Sequence, residues 1–257
     1  LAIVDHEQDT VRRVELTGLA GYAPGDPEPE FVTINADGRA AVSLQENNHI
    51  AVVDVAEATI LADFPAGRAT LTAVDTSDDS RIQLNDRLVD APREPDAISW
   101  VRRDDGEPLI ATANEGDLRG GSRGFSLFSA NGELVFDSGS DFEHRAVRHG
   151  HYPEHRSAAK GTEPESVVSS RYGDDEYLFV ASERGGFVGV YEMWGTQPRF
   201  VQLLPAPLEP EDVLALPSRD LLVVVGEEDN PPNGVRSTTM VYRLQSGAPS
   251  YPHLISA

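Results

Sequence analysis

The composition and charge of the chain exclude several classes of protein. The 257 residues include 43 acidic and 21 basic side chains, only one of them a lysine (Lys160), and the formal net charge is −22. This balance argues against nucleic-acid binding, which needs clustered cations, and fits a cation-binding site, a salt-rich environment or a simply soluble surface. The absence of cysteine excludes disulfides and thiolate metal sites. No apolar stretch approaches the roughly 20 residues of a membrane span.

Short strands separated by turn residues are predicted along the whole chain. Residues 1–22 are typical of the last strands of an incomplete unit, and 251–255 of the start of another. Four sets of strands are predicted between them: 31–34, 39–44, 50–55 and 59–64; then 97–103, 108–113, 124–129 and 133–137; then 166–170, 177–182, 187–193 and 198–204; and finally 212–216, 220–226 and 237–244. No long amphipathic helix is predicted.

The repeat length indicates the architecture. Four-stranded units of about 45 residues are typical of β-propeller blades. We therefore predict an all-β fold, a β-propeller of four-stranded blades, with about five blades visible, alone or within a larger ring. Residues 1–257 form one domain in this interpretation, with insertions near 65–92 and 138–161.

Acidic residues recur at two equivalent points of the repeats. A Glu-Pro-acid triplet precedes or opens the first strand of each set, at 28–30, 94–96, 163–165 and 209–211. A further glutamate follows each second strand, at Glu46, Glu115, Glu183 and Glu227. The first strand of a blade lines the central channel and successive strands run antiparallel, so both points lie on the same face. We expect the acids to gather at one mouth of the channel.

The chemistry of this mouth has two interpretations. Proline fixes φ and removes a donor before strand pairing begins, so each triplet could be a rigid strand start whose acids accept backbone N–H groups. A dozen like charges, however, repel unless protons or cations compensate them. Oxygen ligands without cysteine favour calcium or magnesium over zinc. The predicted calcium ligands are drawn from Glu30, Glu46, Asp96, Glu115, Glu165, Glu183, Glu211 and Glu227.

Other polar motifs are weaker. Arg119 and Arg184 lie near the same loops and could hold an anionic substrate beside the metal, or could pair with the surplus acids. Residues 120–124 match the Gly-x-Ser-x-Gly pattern of a hydrolase, but a strand rather than a helix is predicted after them, so the match is interpreted as accidental. His149 and His151 could bind zinc but fit a polar loop better, and residues 75–79 fit an ordinary turn better than a calcium loop.

Several segments resemble a known family. They are Pro29–Val32 with Gln45–Asp54, Glu94–Ile98 with Ala113–Arg119, and Gly161–Val167. Together they look like the choice-of-anchor I family of bacterial surface and secreted proteins. The last repeat, Glu211–Pro217 to Val235–Thr238, is similar to members that adjoin esterase-like phytase domains. The resemblance implies a propeller, a periplasmic or secreted location, and a relation to alkaline phosphatase or phytase-like proteins.

Two functions fit these residues. In the first, the acidic mouth binds divalent cations together with a small-molecule or protein ligand, and the chain is a non-catalytic binding module. In the second, carboxylate-bound calcium polarises a phosphate and activates water, which makes the chain a metal-dependent phosphoester hydrolase, phytase-like or alkaline-phosphatase-like. Lactonase-like propeller chemistry is a further alternative. The single lysine weighs against the hydrolase, because a phosphate pocket needs cations.

Overall fold

A computed structural model describes residues 1–104 and 106–245; the strand predicted at 251–255 lies outside them. The chain begins with a hairpin of β1 (Ala2–Asp5) and β2 (Thr10–Arg13). The first four-stranded sheet contains β3 (Pro29–Ile34), β4 (Arg39–Leu44), β5 (His49–Asp54) and β6 (Thr59–Pro65). A second hairpin follows, formed by β7 (Arg68–Val74) and β8 (Asp86–Pro92).

The second half of the described chain continues this pattern. Its first four-stranded sheet contains β9 (Ile98–Val101), β10 (Leu109–Asn114), β11 (Gly124–Ser129) and β12 (Leu134–Asp137). The helix α1 (Asp141–His149) and a 3-10 turn (Glu154–Arg156) come next. Another four-stranded sheet contains β13 (Pro164–Tyr172), β14 (Asp175–Ser182), β15 (Phe187–Trp194) and β16 (Gln197–Pro205). A three-stranded sheet contains β17 (Pro210–Leu216), β18 (Leu221–Gly226) and β19 (Thr239–Arg243). Short 3-10 turns at Pro217–Arg219 and Pro231–Asn233 lie in the connections between its strands.

Each sheet is antiparallel, and its strands are ordered as they follow in the chain. The first strands of successive sheets are neighbours: β3 lies beside β9, β9 beside β13, and β13 beside β17. The all-β class and the order of strands within each repeat are therefore confirmed. No helix among the described residues is long and apolar enough to cross a membrane.

The hydrophobic core lies between the sheets. Ile50 and Val52 of the first sheet pack with Trp100 and Ile110 of the second. Corresponding clusters join the second sheet to the third and the third to the three-stranded sheet. All six residues of β10 are buried, because both faces of this strand are covered. The second and third strands of the four-stranded sheets are buried in this way, which explains why their sequences are mostly continuous apolar runs rather than alternating patterns.

The two predicted insertions contain structure of their own and contact each other. The first holds the hairpin β7–β8, and the second holds α1, a helix that was not predicted. His144 Nε2 of the helix lies 2.7 Å from the carbonyl oxygen of Ala73, and Ser140 Oγ donates to the carbonyl of Thr72 at 2.7 Å. The Gly-x-Ser-x-Gly match leads directly into β11, which supports its interpretation as accidental.

Candidate acidic site at the start of the first strands

The triplets and the later glutamates are joined by backbone hydrogen bonds. In three repeats the carbonyl oxygen of the first triplet acid accepts from the loop that leaves the second strand. These bonds are Gly116 N to Glu94 O (3.1 Å), Glu183 N to Glu163 O (2.9 Å) and Glu227 N to Glu209 O (3.0 Å). In the first repeat, the backbone N–H of Glu28 donates to Asn47 Oδ1 at 2.9 Å. The two acidic points of each repeat therefore lie at the same end of its sheet.

The backbone at the triplets is irregular, and this directs the side chains of the first and third acids differently. Glu94, Glu163 and Glu209 have φ values of 45°, 49° and 45°, in the left-handed region. The pairing of first and second strands is shifted at the triplets beginning with Glu28, Glu163 and Glu209, as in a β-bulge. Bulges change the direction of a side chain at a strand end. The proline between the acids removes a donor where pairing is irregular.

The first acids of the second and third triplets are buried and paired. Glu94 is 0% exposed, and its carboxylate accepts from the backbone N–H groups of Asp117 (2.9 Å) and Arg119 (3.0 Å). Arg119 Nε adds an ion pair at 2.8 Å. Glu163 is 1% exposed and pairs with Arg156 Nε at 2.5 Å. Glu94 thus accepts backbone N–H groups at the strand start, as in the first of the two interpretations, whereas Glu163 is held by an arginine.

The third acids have a different environment. Carboxylate oxygens of Asp96, Glu115 and Glu165 lie within 4.8 Å of one another. Asp96 and Glu165 are half-buried and form no side-chain hydrogen bond or ion pair with any described residue. Burial raises the pKa of Asp96 to about 8, and repulsion from Glu115 adds to the rise. Burial raises the pKa of Glu165 to about 10, with Asp96 and Glu115 as the next causes.

A second group of carboxylates is compensated by basic side chains. Glu115, Glu163 and Glu183 also have oxygens within 4.8 Å of one another. Lys160 Nζ forms an ion pair with Glu115, lies 3.3 Å from Glu163 Oε2, and donates to the carbonyl oxygen of Gly116 at 2.9 Å. Gln45 Nε2 donates to the second oxygen of Glu115 at 2.7 Å. Burial nevertheless raises the pKa of Glu115, because desolvation outweighs these contacts.

A third group contains Glu183, Glu209 and Glu227, with Arg184 beside it. Arg184 Nη2 lies 2.8 Å from Glu183, and its Nη1 pairs with Glu209. Burial raises the pKa of Glu183 to about 7, against the lowering effect of Arg184. Glu227 is exposed. This group therefore already contains a cation supplied by the chain.

The remaining predicted ligands lie at the border of these groups or apart from them. Glu30 on β3 and Glu211 on β17 are exposed, and both raise the pKa of Asp96 by charge repulsion. Glu46 is half-buried and lies near other acids. Desolvation and repulsion from the carboxylate of Asp117 raise its pKa. Carboxylates of the other three repeats therefore lie close enough to Asp96 to interact with it electrostatically. Glu46 interacts with a different set of acids.

The two arginines predicted to bind substrate are engaged with carboxylates. Arg119 pairs with Glu94 and stacks on the ring of Tyr22, with 4.4 Å from its guanidinium carbon to the ring centroid. Arg184 pairs with Glu183 and Glu209. Both contacts correspond to the second possibility stated for these arginines, pairing with the surplus acids. Binding of an anionic substrate by either one stays a prediction.

Sequence reasoning missed the basic residues that enter the acidic groups from the second insertion, namely Arg156 and Lys160. A signal was present for Lys160, the single lysine, which stands three positions before Glu163. The histidines bind different backbone carbonyls: His149 Nδ1 lies 2.8 Å from the oxygen of Arg145, and His151 Nδ1 lies 2.9 Å from that of Gly185.

The loop at residues 75–79 also has a structural role. The Asp75 carboxylate accepts from the backbone N–H groups of Ser77 (3.1 Å) and Gln83 (2.7 Å). Those two bonds close the turn and use both oxygens of the carboxylate. The segment is thus held as a loop by its own carboxylate, and the preference for an ordinary turn over a calcium loop stays a prediction.

Comparison with known proteins identifies the family. Residues 6–120 and 119–196 match the choice-of-anchor I domain, which is more than half of the chain. The chain belongs to the choice-of-anchor I family. No curated protein matches the sequence.

Solved structures with similar folds have very different sequences. A putative 6-phosphogluconolactonase from Bacteroides uniformis is 11% identical with a TM-score of 0.55, and the match covers 99% of this chain and 64% of that one. Hydrazine synthase from Kuenenia stuttgartiensis is 12% identical with a TM-score of 0.49, covering 85% and 50% of the two chains. The RRP9 WD40 repeats are 12% identical with a TM-score of 0.47, covering 95% and 73%. The chain thus spans only half to two thirds of the first two proteins, and the first similarity shows a shared fold alone.

Proposed function

We propose that this chain is an extracytoplasmic β-propeller whose acidic channel mouth binds a divalent cation, calcium, together with a ligand or partner. Family membership supports a cell-surface or secreted location. The neighbouring first strands β3, β9, β13 and β17 support an arrangement of blades around a channel. A periplasmic location is one form of the same proposal.

The observation that carries the proposal is the arrangement of Asp96, Glu115 and Glu165. Their oxygens lie within 4.8 Å of one another, and two of the three carboxylates lack a basic partner among the described residues. Calcium takes six to eight oxygen ligands in flexible geometry, so a carboxylate cluster from separate strands suits it better than the strict octahedron of magnesium. Glu30 and Glu211 would add negative charge at the border of the site.

Protons compete with the cation for this cluster. The pKa values of Asp96 and Glu165, about 8 and about 10, imply that both carboxyls hold protons at neutral pH when no cation is bound. A bound calcium ion would displace those protons, and binding would therefore release protons and become tighter as the pH rises. A carboxylate cluster that served only as an anchor would show neither effect.

The binding module is favoured over the phosphoester hydrolase. A hydrolase of this type needs a basic group free to hold phosphate beside the metal. Arg119 and Arg184, the two candidates near the acids, pair with Glu94 and with Glu183 and Glu209. Arg119 keeps one terminal nitrogen without an acceptor among the described residues, but it lines a cavity that Asp96, Glu115 and Glu165 do not line. Phosphatase and lactonase assays with and without calcium test the catalytic alternatives directly.

The test of the cation site compares melting temperatures of exhaustively chelated protein in calcium, in magnesium, and in sodium chloride at matched ionic strength. A ligand that binds only the folded state adds about 2.7 kcal/mol at a hundredfold excess over its dissociation constant. We expect calcium to raise the melting temperature by several degrees. Equal shifts in all three salts would indicate general screening and exclude a specific site.

Matched variants locate the effect. Asp96→Asn and Glu165→Gln should remove most of the calcium-dependent shift. Glu57→Gln is the control, because Glu57 is exposed in the turn between β5 and β6, at the opposite end of the first sheet from its triplet. A calcium shift that survives in both cluster variants would disprove this location.

A further inference from the structure

The two insertions border an open cavity of about 500 Å³ that the acidic cluster does not line. Thr76 and Leu88 line it from the hairpin insertion, Arg156 and residues 158–160 line it from the helical insertion, and residues of the loop after β10 complete the lining. The walls are tied together, since the backbone N–H of Ala158 donates to Asp78 Oδ1 at 2.7 Å. Small-molecule sites commonly occupy about 300–1,000 Å³. The cavity is therefore large enough for a small ligand.

The charge of the cavity wall is opposite to that of the protein. Among its lining residues are four basic side chains and one acid, in a chain with a formal charge of −22; the basic residues are Arg119, Arg123, Arg156 and Lys160, and the acid is Asp117. The carboxylates that pair with these cations, such as Glu94 and Glu163, are almost completely buried and do not line the cavity. The cavity wall therefore offers mainly hydrogen-bond donors.

Some of these donors are unused. Arg156 donates from Nε to Glu163, and neither of its two terminal nitrogens forms a hydrogen bond with a described residue. Arg119 donates from Nε to Glu94 and from Nη2 to the carbonyl oxygen of Glu46, which leaves Nη1 without an acceptor in the described part of the chain. A guanidinium fixed by Nε presents its outer edge to a bidentate acceptor, as phosphate and carboxylate groups are.

We infer that this cavity binds a small molecule through an oxyanionic group, a phosphate or a carboxylate. Arg156 supplies the main bidentate contact, and Arg119 supplies a second donor. Lys160 is occupied by Glu115 and Glu163 and contributes charge rather than a free donor. None of the three proposed calcium ligands lines the cavity, so the site does not depend on a bound metal.

Ala159 offers a variant that leaves every existing ion pair intact. It is exposed and lines the cavity, and its hydrogen bonds come from the backbone alone: its N–H donates to the carbonyl of Arg156, and its carbonyl accepts from Arg123. Ala159→Glu would place a carboxylate among the donors, where it would compete with an anionic ligand. Ala159→Gln adds the same bulk without charge and is the matched control. Arg156→Lys keeps the pairing with Glu163 but removes the planar fork.

The experiment is isothermal titration calorimetry of the chelated full chain with sodium phosphate and with sodium acetate, each against sodium chloride at matched ionic strength. We expect saturable binding of phosphate, acetate or both, and the arm that binds identifies the oxyanion. Ala159→Glu and Arg156→Lys should weaken this binding about tenfold or more. Ala159→Gln, and Arg219→Gln at an exposed position outside the cavity wall, should change it by less than about twofold.

Three outcomes would overturn the inference: no saturable binding of either anion, heats no larger than those of chloride, or equal binding by wild type and both weakened variants. Circular dichroism of each variant excludes unfolding as the cause of lost binding. Because calcium is absent throughout, failure of the calcium proposal leaves this result unaffected, and failure here leaves the calcium proposal unaffected.

Discussion

Replacing Glu165 with glutamine should stabilise the metal-free protein, although it removes a residue of the proposed site. The Glu165 carboxyl is half-buried beside Asp96 and Glu115, with no basic partner among the described residues. Burial and like charges raise its pKa from 4.5 to about 10. At pH 7 the group is protonated in the folded protein and ionised in the unfolded chain, so folding must take up a proton.

The size of this effect follows from the pKa difference. Each pH unit between the unfolded pKa of 4.5 and the working pH costs about 1.4 kcal/mol, so the upper limit at pH 7 is about 3 kcal/mol. Asp96 and Glu115 share the same repulsion, which lowers the expected gain for Glu165→Gln to about 1–3 kcal/mol. A raised carboxyl pKa contributes full stability below the unfolded pKa and loses it as the pH rises towards the folded pKa. Wild type should therefore lose stability between about pH 4.5 and pH 10 more steeply than the variant.

The assay is urea unfolding in the presence of a chelator at several pH values, with Glu57→Gln as the control. The free energy of unfolding of Glu165→Gln should exceed that of wild type at pH 7 and should approach it near pH 4, where the wild-type carboxyl is protonated in both states. In excess calcium the order should reverse, because only wild type keeps the full ligand set. A variant that is less stable than wild type at pH 7 without calcium, or a difference that is the same at every pH, would refute the reasoning.

Further substitutions test the structural parts of the site. Glu94→Gln should lower the free energy of unfolding by about 2–3 kcal/mol in urea melts, because the fully buried Glu94 carboxylate pairs with Arg119 and accepts from two backbone N–H groups. An unchanged urea midpoint would contradict this. Gly116→Ala should lower the melting temperature by several degrees, since Gly116 has φ 88° and a Cβ there would lie 2.1 Å from Gly121 N. A melting temperature equal to that of wild type would show that the loop adapts to the added methyl group without cost. Lys160→Met should enlarge the calcium-dependent rise in melting temperature, because it removes a cation that competes with calcium for Glu115. A smaller rise than in wild type would show that Lys160 supports the site.

Most strands could be predicted from the sequence because turn residues separate continuous apolar runs. The runs Ala51–Val53 and Leu109–Ala111 are buried on both faces of their strands, and the sequence pattern and the structure agree there. The helix α1 was missed for the opposite reason. It has nine residues, and its buried positions are Phe142, Glu143 and Ala146, so a charged residue interrupts the apolar side that a helical pattern needs.

The gathering of the acids at one end of each sheet could also be predicted, but the environments of the individual acids could not. The repeats place the triplets and the later glutamates at one end of each sheet, which follows from strand order alone. Within a triplet, however, Glu94 is an anchor and Asp96 has no basic partner among the described residues. The difference arises from Arg119, which enters from a loop more than twenty residues away, as its pairing with Glu94 spans 25 positions. A repeat pattern does not carry that information.

Neutralisation of the clustered carboxylates explains which of them remain available for a cation. Glu94, Glu163 and Glu183 are paired with arginines or with Lys160, so a metal at these positions would have to displace a basic side chain as well as protons. Asp96 and Glu165 have only protons to lose, and their raised pKa values show that the cluster holds a second negative charge poorly. A divalent cation would relieve that repulsion at Asp96 and Glu165, which form no ion pair with any described residue, whereas their neighbour Glu115 already pairs with Lys160. We therefore propose the third acids of the second and third triplets as cation ligands, while the first acids of these two triplets pair with arginines at the strand ends.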